Sequence, residues 1–198
     1  MKVTIHQPEH FPYLGFFSKM NEADVMVILD NVNYRKNYYQ NRNKFLNKDN
    51  KEEWFTVPVE KNATKKHIKD VLVSEDTRWR KKLIKQMHMN FKLDIDLLES
   101  IYDGDYLIDI NMRTIDYCRS LLGLNTNIVF ASQLNVNGLK SELLANICKR
   151  LKATEYISGP SGKDYLEKEY FEDIKIRYFE PKPQNHYSTL YNIVEGIV

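Results

Sequence analysis

Two histidines, a glutamine and a glutamate stand within five residues near the start of the chain, His6-Gln7-Pro8-Glu9-His10, directly after the apolar run Val3-Thr4-Ile5. A strand that had only to pack would continue in Val and Ile, whereas this one ends in imidazole and carboxamide groups. At neutral pH an imidazole hydrogen-bonds an anionic oxygen or accepts a proton from an amine nucleophile. His6 first, and His10 second, are therefore the candidate bases. Asp30 closes the next apolar run, DVMVILD, and is the candidate carboxylate to fix the ring tautomer. A metal pair made of His6 and His10 is disfavoured, because no carboxylate or cysteine stands at ligand spacing.

Three further stretches have the composition of anion holders. In Gln40-Asn41-Arg42-Asn43 a guanidinium is flanked by carboxamides, suited to a fork on a phosphate or carboxylate, with Gln7 as a further polar contact. In SGPSGKDY, residues 158 to 165, Gly159, Ser161, Gly162 and Lys163 lie between a strand-like and a helix-like run, where backbone N–H groups can hold an anion. The glycine spacing is not that of a Walker A loop. Lys140 and Ser141 follow Asn137-Gly138 at another helix start and form the third stretch. Each has a plainer reading beside it: an exposed polar loop, a tight turn with an N-cap at Ser161, and an ordinary capped helix.

The elements that must position these residues read as alternating strands and helices. KVTIHQP and DVMVILD are strand-length runs separated by room for one brief helix from Leu14 to Asn21, a β-α-β beginning whose parallel pairing would bring His6, Gln7 and Asp30 to one sheet edge. WFTVPV at 54 to 59 reads as a further strand, with Pro58 favouring an edge. Residues 31 to 50 then form a long loop or irregular ribbon between strands. From Thr77 to Phe91 the residues Trp79, Leu83, Met87 and Phe91 recur every four positions, a helical core stripe, and the helical pattern continues through Leu93 to Tyr102 and Leu107 to Leu122, with Gly123 as a C-cap. Afterwards NIVFAS, EYISG and IKIRYF read as strands, and Leu139 to Leu151 as an amphipathic helix. The expected fold is α/β, a Rossmann-like, mostly parallel sheet with a helical insertion at about 77–123, all within a single domain, 1–198. Polar residues recur directly after four strand-like runs (His6-Gln7-Pro8, Asp30, Ser132 and the 158–163 turn), which argues for one shared site at the carboxyl ends.

Composition narrows the functions. A chain of 198 residues buries roughly two thirds or more of its extended surface without staples. The two cysteines, Cys118 and Cys148, sit in helix-like segments and read as buried thiols of a reducing compartment. No charged leader with an apolar core precedes the first strand, and no window approaches the ~20 apolar residues of a membrane helix, so the expectation is a cytoplasmic protein. The run NYRKNYYQNRNKF interleaves rings and cations as single-strand binders do. A net charge of +2 and the lack of an RNP pattern nevertheless disfavour nucleic acid as the main partner. A small anionic substrate fits better, and no particular cofactor is indicated.

The chain resembles the WbqC-like protein family. The resemblance is carried by HQPEHFPYLGFFSKM with ADVMVILDNV, by QNRNKF, by W-x-TVPV, by SELLANICKRL and by YISGPSGKDYL, in order and over nearly the whole length. His10, Asn33 and Tyr39 depart from it, standing where the family pattern usually has an aromatic, a glutamine and a tryptophan. The resemblance implies bacterial surface-polysaccharide (O-antigen) biosynthesis, with transfer of an acyl or aminoacyl group to a nucleotide-linked amino sugar. A weaker likeness to adenylate-forming and nucleotidyl-transferring enzymes lacks their second histidine, at whose place Phe16 or Phe17 stands. The competing class is a nucleotide or nucleotide-sugar binding protein with no chemistry of its own.

Overall fold

The computed structural model describes all residues, Met1–Val198. The chain forms two compact units, each assembled from three separate segments. The first comprises Met1–Gln7, Gly15–Asp30 and Leu124–Pro183, and the second Pro8–Leu14, Asn31–Gly123 and Gln184–Val198.

The first unit is an α/β layer structure around a five-stranded, fully parallel sheet. Its strands are β1 (Lys2–His6), β2 (Val25–Ile28), β5 (Asn127–Phe130), β6 (Glu155–Ser158) and β7 (Lys175–Tyr178), in spatial order β5-β2-β1-β6-β7. Counting only these strands along the chain, the order is 3-2-1-4-5, the doubly wound order of Rossmann-like sheets. Helix α1 (Leu14–Asn21) precedes β2, α5 (Lys140–Arg150) joins β5 to β6, and a single turn, α6 (Gly162–Tyr165), follows β6. The strands form because short β-branched runs are buried along them: Val3, Ile5, Val27 and Ile157 are all nearly inaccessible. Phe16, Phe17 and Met20 of α1 and Ile147 and Cys148 of α5 complete this core, and Tyr156 stacks on Phe171 at 5.4 Å.

The second unit holds a two-stranded antiparallel hairpin, β3 (Arg42–Leu46) with β4 (Glu52–Thr56), and the helices α2 (Arg78–Phe91), α3 (Ile95–Tyr102), α4 (Leu107–Leu121) and α7 (Thr189–Val194). The four-residue stripe of α2 behaves as its periodicity predicts, with Leu83, Met87 and Phe91 buried and Trp79 half-buried. Gly123 follows α4 at φ +66°, the left-handed stop expected of it. Phe11, Phe45, Phe55, Phe91 and Tyr102 form the aromatic core of this unit.

Two expectations are corrected. The strand read at 54–59 spans Glu52–Thr56 and belongs to the separate hairpin, and its partner β3 lies inside the stretch read as loop. Both follow from the pleat: Asn43, Phe45 and Phe55 point inward while Arg42, Lys44 and Trp54 point outward, so only a short alternation marks the strands. The two cysteines are buried and free, as expected, and burial pushes the Cys148 thiol up to about 12.

Gly162 carries a testable constraint. A Cβ there would come within 2.0 Å of Ser158 Oγ and 3.0 Å of Leu166 Cδ1. Gly162→Ala is therefore expected to destabilise the fold by about 1–3 kcal/mol in urea unfolding, through overpacking. Adding Ser158→Ala removes the hydroxyl and should recover part of the loss.

Candidate functional site

The strand order reverses at β1. From there the chain builds β2 and β5 on one side, then returns to build β6 and β7 on the other, so β1 and β6 are the neighbours whose outgoing connections run to opposite halves of the sheet. Ligands of open α/β sheets bind in the crevice at such a switch point. His6 ends β1, and continuing the parallel register of Thr4 with Ile157 puts His6 level with Gly159, just beyond β6. A Cβ at Gly159 would meet no atom within 4 Å, so the chain there faces open space. On the other side His6 pairs with Ile28 of β2, two residues before Asp30.

His6 is of intermediate exposure as a residue, and its ring rests edge-on against Phe16, 4.9 Å between centroids. Its Nδ1 lies 2.9 Å from the carbonyl oxygen of Gln7. A carbonyl only accepts, so Nδ1 carries the proton and the lone pair is on Nε2. The buried Lys19 of α1 donates from Nζ to the Ile5 carbonyl at 3.0 Å, one residue before this histidine. Desolvation first, and the Lys19 ammonium second, lower the His6 pKa to about 3, against the opposing effect of the Gln7 bond. His6 is thus held neutral at physiological pH, in one tautomer.

Asp30 does not supply that orientation. Its buried carboxylate accepts from Ser132 N at 2.9 Å and Ser132 Oγ at 2.6 Å, tying the end of β2 to the turn after β5. Ser158 is buried, with Oγ donating to the Gly159 carbonyl at 3.1 Å. Ser161 caps α6 without a side-chain bond, and α6 has only four residues, too short for a useful dipole. Lys163 is engaged by Glu180 in an exposed ion pair. Ser141 Oγ donates to the Tyr165 carbonyl at 3.3 Å and accepts from Glu167 N at 3.1 Å, so it pins the segment after α6, while Lys140 is exposed. Of the expected residues in this unit, His6, Gln7, Asp30 and Gly159 share the carboxyl edge of the sheet. Lys19 is the one that sequence reasoning passed over, since a lysine in LGFFSKMN reads as the wet side of a helix.

His10, Asn41, Arg42 and Asn43 belong to the second unit. His10 is fully buried, edge-on to Phe11 and Phe55, with Nε2 3.2 Å from the Tyr102 hydroxyl and Nδ1 without a partner. Burial lowers its pKa to about 3. These surroundings give it a packing role. Asn41 Nδ2 donates to the Val57 carbonyl at 2.8 Å and Asn43 Nδ2 to the Phe11 carbonyl at 2.7 Å, so both carboxamides hold backbone. Arg42 points to the opposite face of the strand from Asn43 and lies 4.3 Å over the Trp54 ring. The three do not form one fork, because the pleat separates them.

A family model described as "WbqC-like protein family" matches residues 7–193. A Mycobacterium tuberculosis protein described as "Uncharacterized protein Rv1507c" is 29% identical over 209 residues, spanning all of this chain and 90% of its own length. No solved structure matches. No helix is long and apolar enough to cross a membrane.

The burial of His10 predicts acid lability. Its folded pKa, about 3, lies below the ordinary 6.5, so the unfolded chain binds the extra proton between these values. The resulting stability is fully present above pH 6.5 and is lost as pH falls toward 3, at about 1.4 kcal/mol per pH unit for one such group. In urea titrations between pH 6 and pH 4, His10→Phe should reduce proton uptake on unfolding by about one. An unchanged slope would show that the ring is not held neutral.

Proposed function

The chain belongs to the WbqC-like protein family, and from that membership we propose that it is a transferase of bacterial surface-polysaccharide assembly, attaching an acyl or aminoacyl group to the amine of a nucleotide-linked amino sugar. The observation that carries the chemistry is His6: a neutral, single-tautomer imidazole at the switch point of a Rossmann-ordered sheet. In the reaction the amine nitrogen attacks the acyl carbonyl carbon, a C–N bond forms, and the bond to the leaving group breaks. His6 Nε2 takes the proton released by the nitrogen and returns it to the leaving group.

A pKa of about 3 makes the resting imidazole a weak base. Negative charge on the tetrahedral intermediate favours the imidazolium and raises that pKa as the reaction proceeds. The Lys19 ammonium, which disfavours imidazolium before substrate arrives, offers the same oxyanion a counter-charge. Gln7 holds the ring through its carbonyl, and Asp30 fixes the neighbouring strand end through Ser132. The open approach at Gly159 supports close contact with substrate beside the base.

Thermal-shift screening with UDP- and dTDP-linked amino sugars identifies the acceptor by mass action. With that acceptor and a matched acyl donor, His6→Ala is expected to keep the ligand-induced shift and to lose about 100- to 10,000-fold in kcat, the usual contribution of a positioned base. Full turnover by a folded His6→Ala protein would eliminate the base. Stabilisation by ligand with no transfer in the wild type would leave a binding protein without chemistry.

A further inference from the structure

We propose that the outward face of the β3–β4 hairpin in the second unit seats a nucleotide, its base stacked on exposed rings and its phosphate met by arginine. The reading goes beyond the transfer reaction above and stands even if His6 has no chemical role.

Cross-strand partners share a face of a hairpin, so the register of Arg42 with Thr56 and Lys44 with Trp54 projects all four outward. Trp54 is left 38% exposed, whereas Phe55 beside it is fully buried. Tyr38, in the loop that leads into β3, is 37% exposed. Rings and cations alternate along this surface. Arg35 lies 4.6 Å over Tyr38, which is 5.4 Å from Tyr39, itself 6.2 Å from Trp54 at an interplanar angle of 30°. Arg42 covers Trp54 at 4.3 Å, and Lys44 sits 5.8 Å from Trp54 and 5.7 Å from Tyr187.

The charge of this surface is not internally balanced. Lys44 is paired with Glu52 at 2.7 Å, but Arg35 and Arg42 have no carboxylate partner. Arg42 donates one bond, from Nη2 to the Asn37 carbonyl at 2.8 Å, and its buried Nε donates to nothing. Exposed rings beside uncompensated guanidinium groups complement a ligand that has both an aromatic plane and negative charge. An inorganic anion would use only the arginines and an apolar peptide only the rings, whereas a nucleotide uses both. Single-stranded nucleic acid shares this chemistry, but a chain of net charge +2 offers no long phosphate track, which favours the mononucleotide.

Calorimetric titration of the full chain at low salt with UMP, UDP and AMP, and with ribose 5-phosphate as the ligand lacking a base, tests this. Nucleotides should bind at least about ten-fold more tightly than ribose 5-phosphate, the difference being base stacking. Trp54→Ala should lose about ten-fold or more for nucleotides while leaving ribose 5-phosphate binding unchanged. Arg42→Gln should weaken both and flatten the salt dependence. Tyr170→Ala, which removes a ring of similar exposure in the first unit, should change nothing. The proposal is overturned by nucleotides binding no better than ribose 5-phosphate, by indifference to Trp54→Ala, by an equal effect of Tyr170→Ala, or by an octamer of uridylate binding far more tightly with a salt slope of several charges. Because these readouts are binding constants, their failure leaves the turnover test of His6 untouched, and the reverse also holds.

Discussion

The parallel seating of β1 between β2 and β6 is the constraint on which the chemistry of the first unit depends. A strand paired on both sides has its backbone groups satisfied and its interior side chains enclosed, as Thr4 is by its bond to the Ile157 carbonyl, so the last residue is where a polar side chain can meet a ligand. His6 occupies that residue. The connections that leave β1 and β6 run to opposite halves of the sheet, and the open space at Gly159 marks an approach at this seam. The same placement explains how a histidine can be strongly desolvated and still be partly exposed.

Two histidines four positions apart are held neutral for different reasons. His6 is desolvated and faces the field of a buried ammonium, with its proton fixed on Nδ1 by a carbonyl. His10 is enclosed by Phe11, Phe55 and Tyr102 and has a single polar neighbour. The first arrangement responds to an arriving anion, since negative charge nearby reverses the penalty on imidazolium. The second responds only to opening of the core. A similar contrast separates Asp30, whose two part-buried bonds to Ser132 bind strand ends together, from Lys163 and Glu180, whose exposed ion pair adds little.

Much of the first unit was legible because its three central strands are short, largely buried and apolar, so KVTIH, VMVI and EYIS stand out from their surroundings. The helices of 78–121 were legible from the spacing of Leu83, Met87 and Phe91 and of their counterparts in α4. The hairpin was not, because both faces of RNKFL and EEWFT mix polar and apolar residues, with Trp54 outward beside Lys44 and Asn43 inward beside Phe55, and five positions are too few to establish a period. The site was legible as an edge but not as a set of partners. Polar residues at four strand ends announced where chemistry could gather, yet hydrogen bonding decides who meets whom: Asp30 finds Ser132, Ser141 finds Tyr165 and Glu167, and Gln7 rather than Asp30 orients the ring. The burial of Lys19 left no trace in composition at all.

Each unit is stitched from three stretches of chain that interrupt those of the other. During synthesis the first sheet can acquire β1 and β2 early, but it waits for more than ninety intervening residues before β5 emerges, and the second unit waits for Gln184–Val198 to supply α7. The first unit is complete only once Pro183 has been made and the second only once Gln184–Val198 has followed, so the edges of β1 and β2 stay unpaired while the middle segment of the second unit is synthesised. For such a chain, cutting at a segment boundary yields no self-sufficient fragment, and a loss of the last fifteen residues strips a piece from the unit that begins at Pro8.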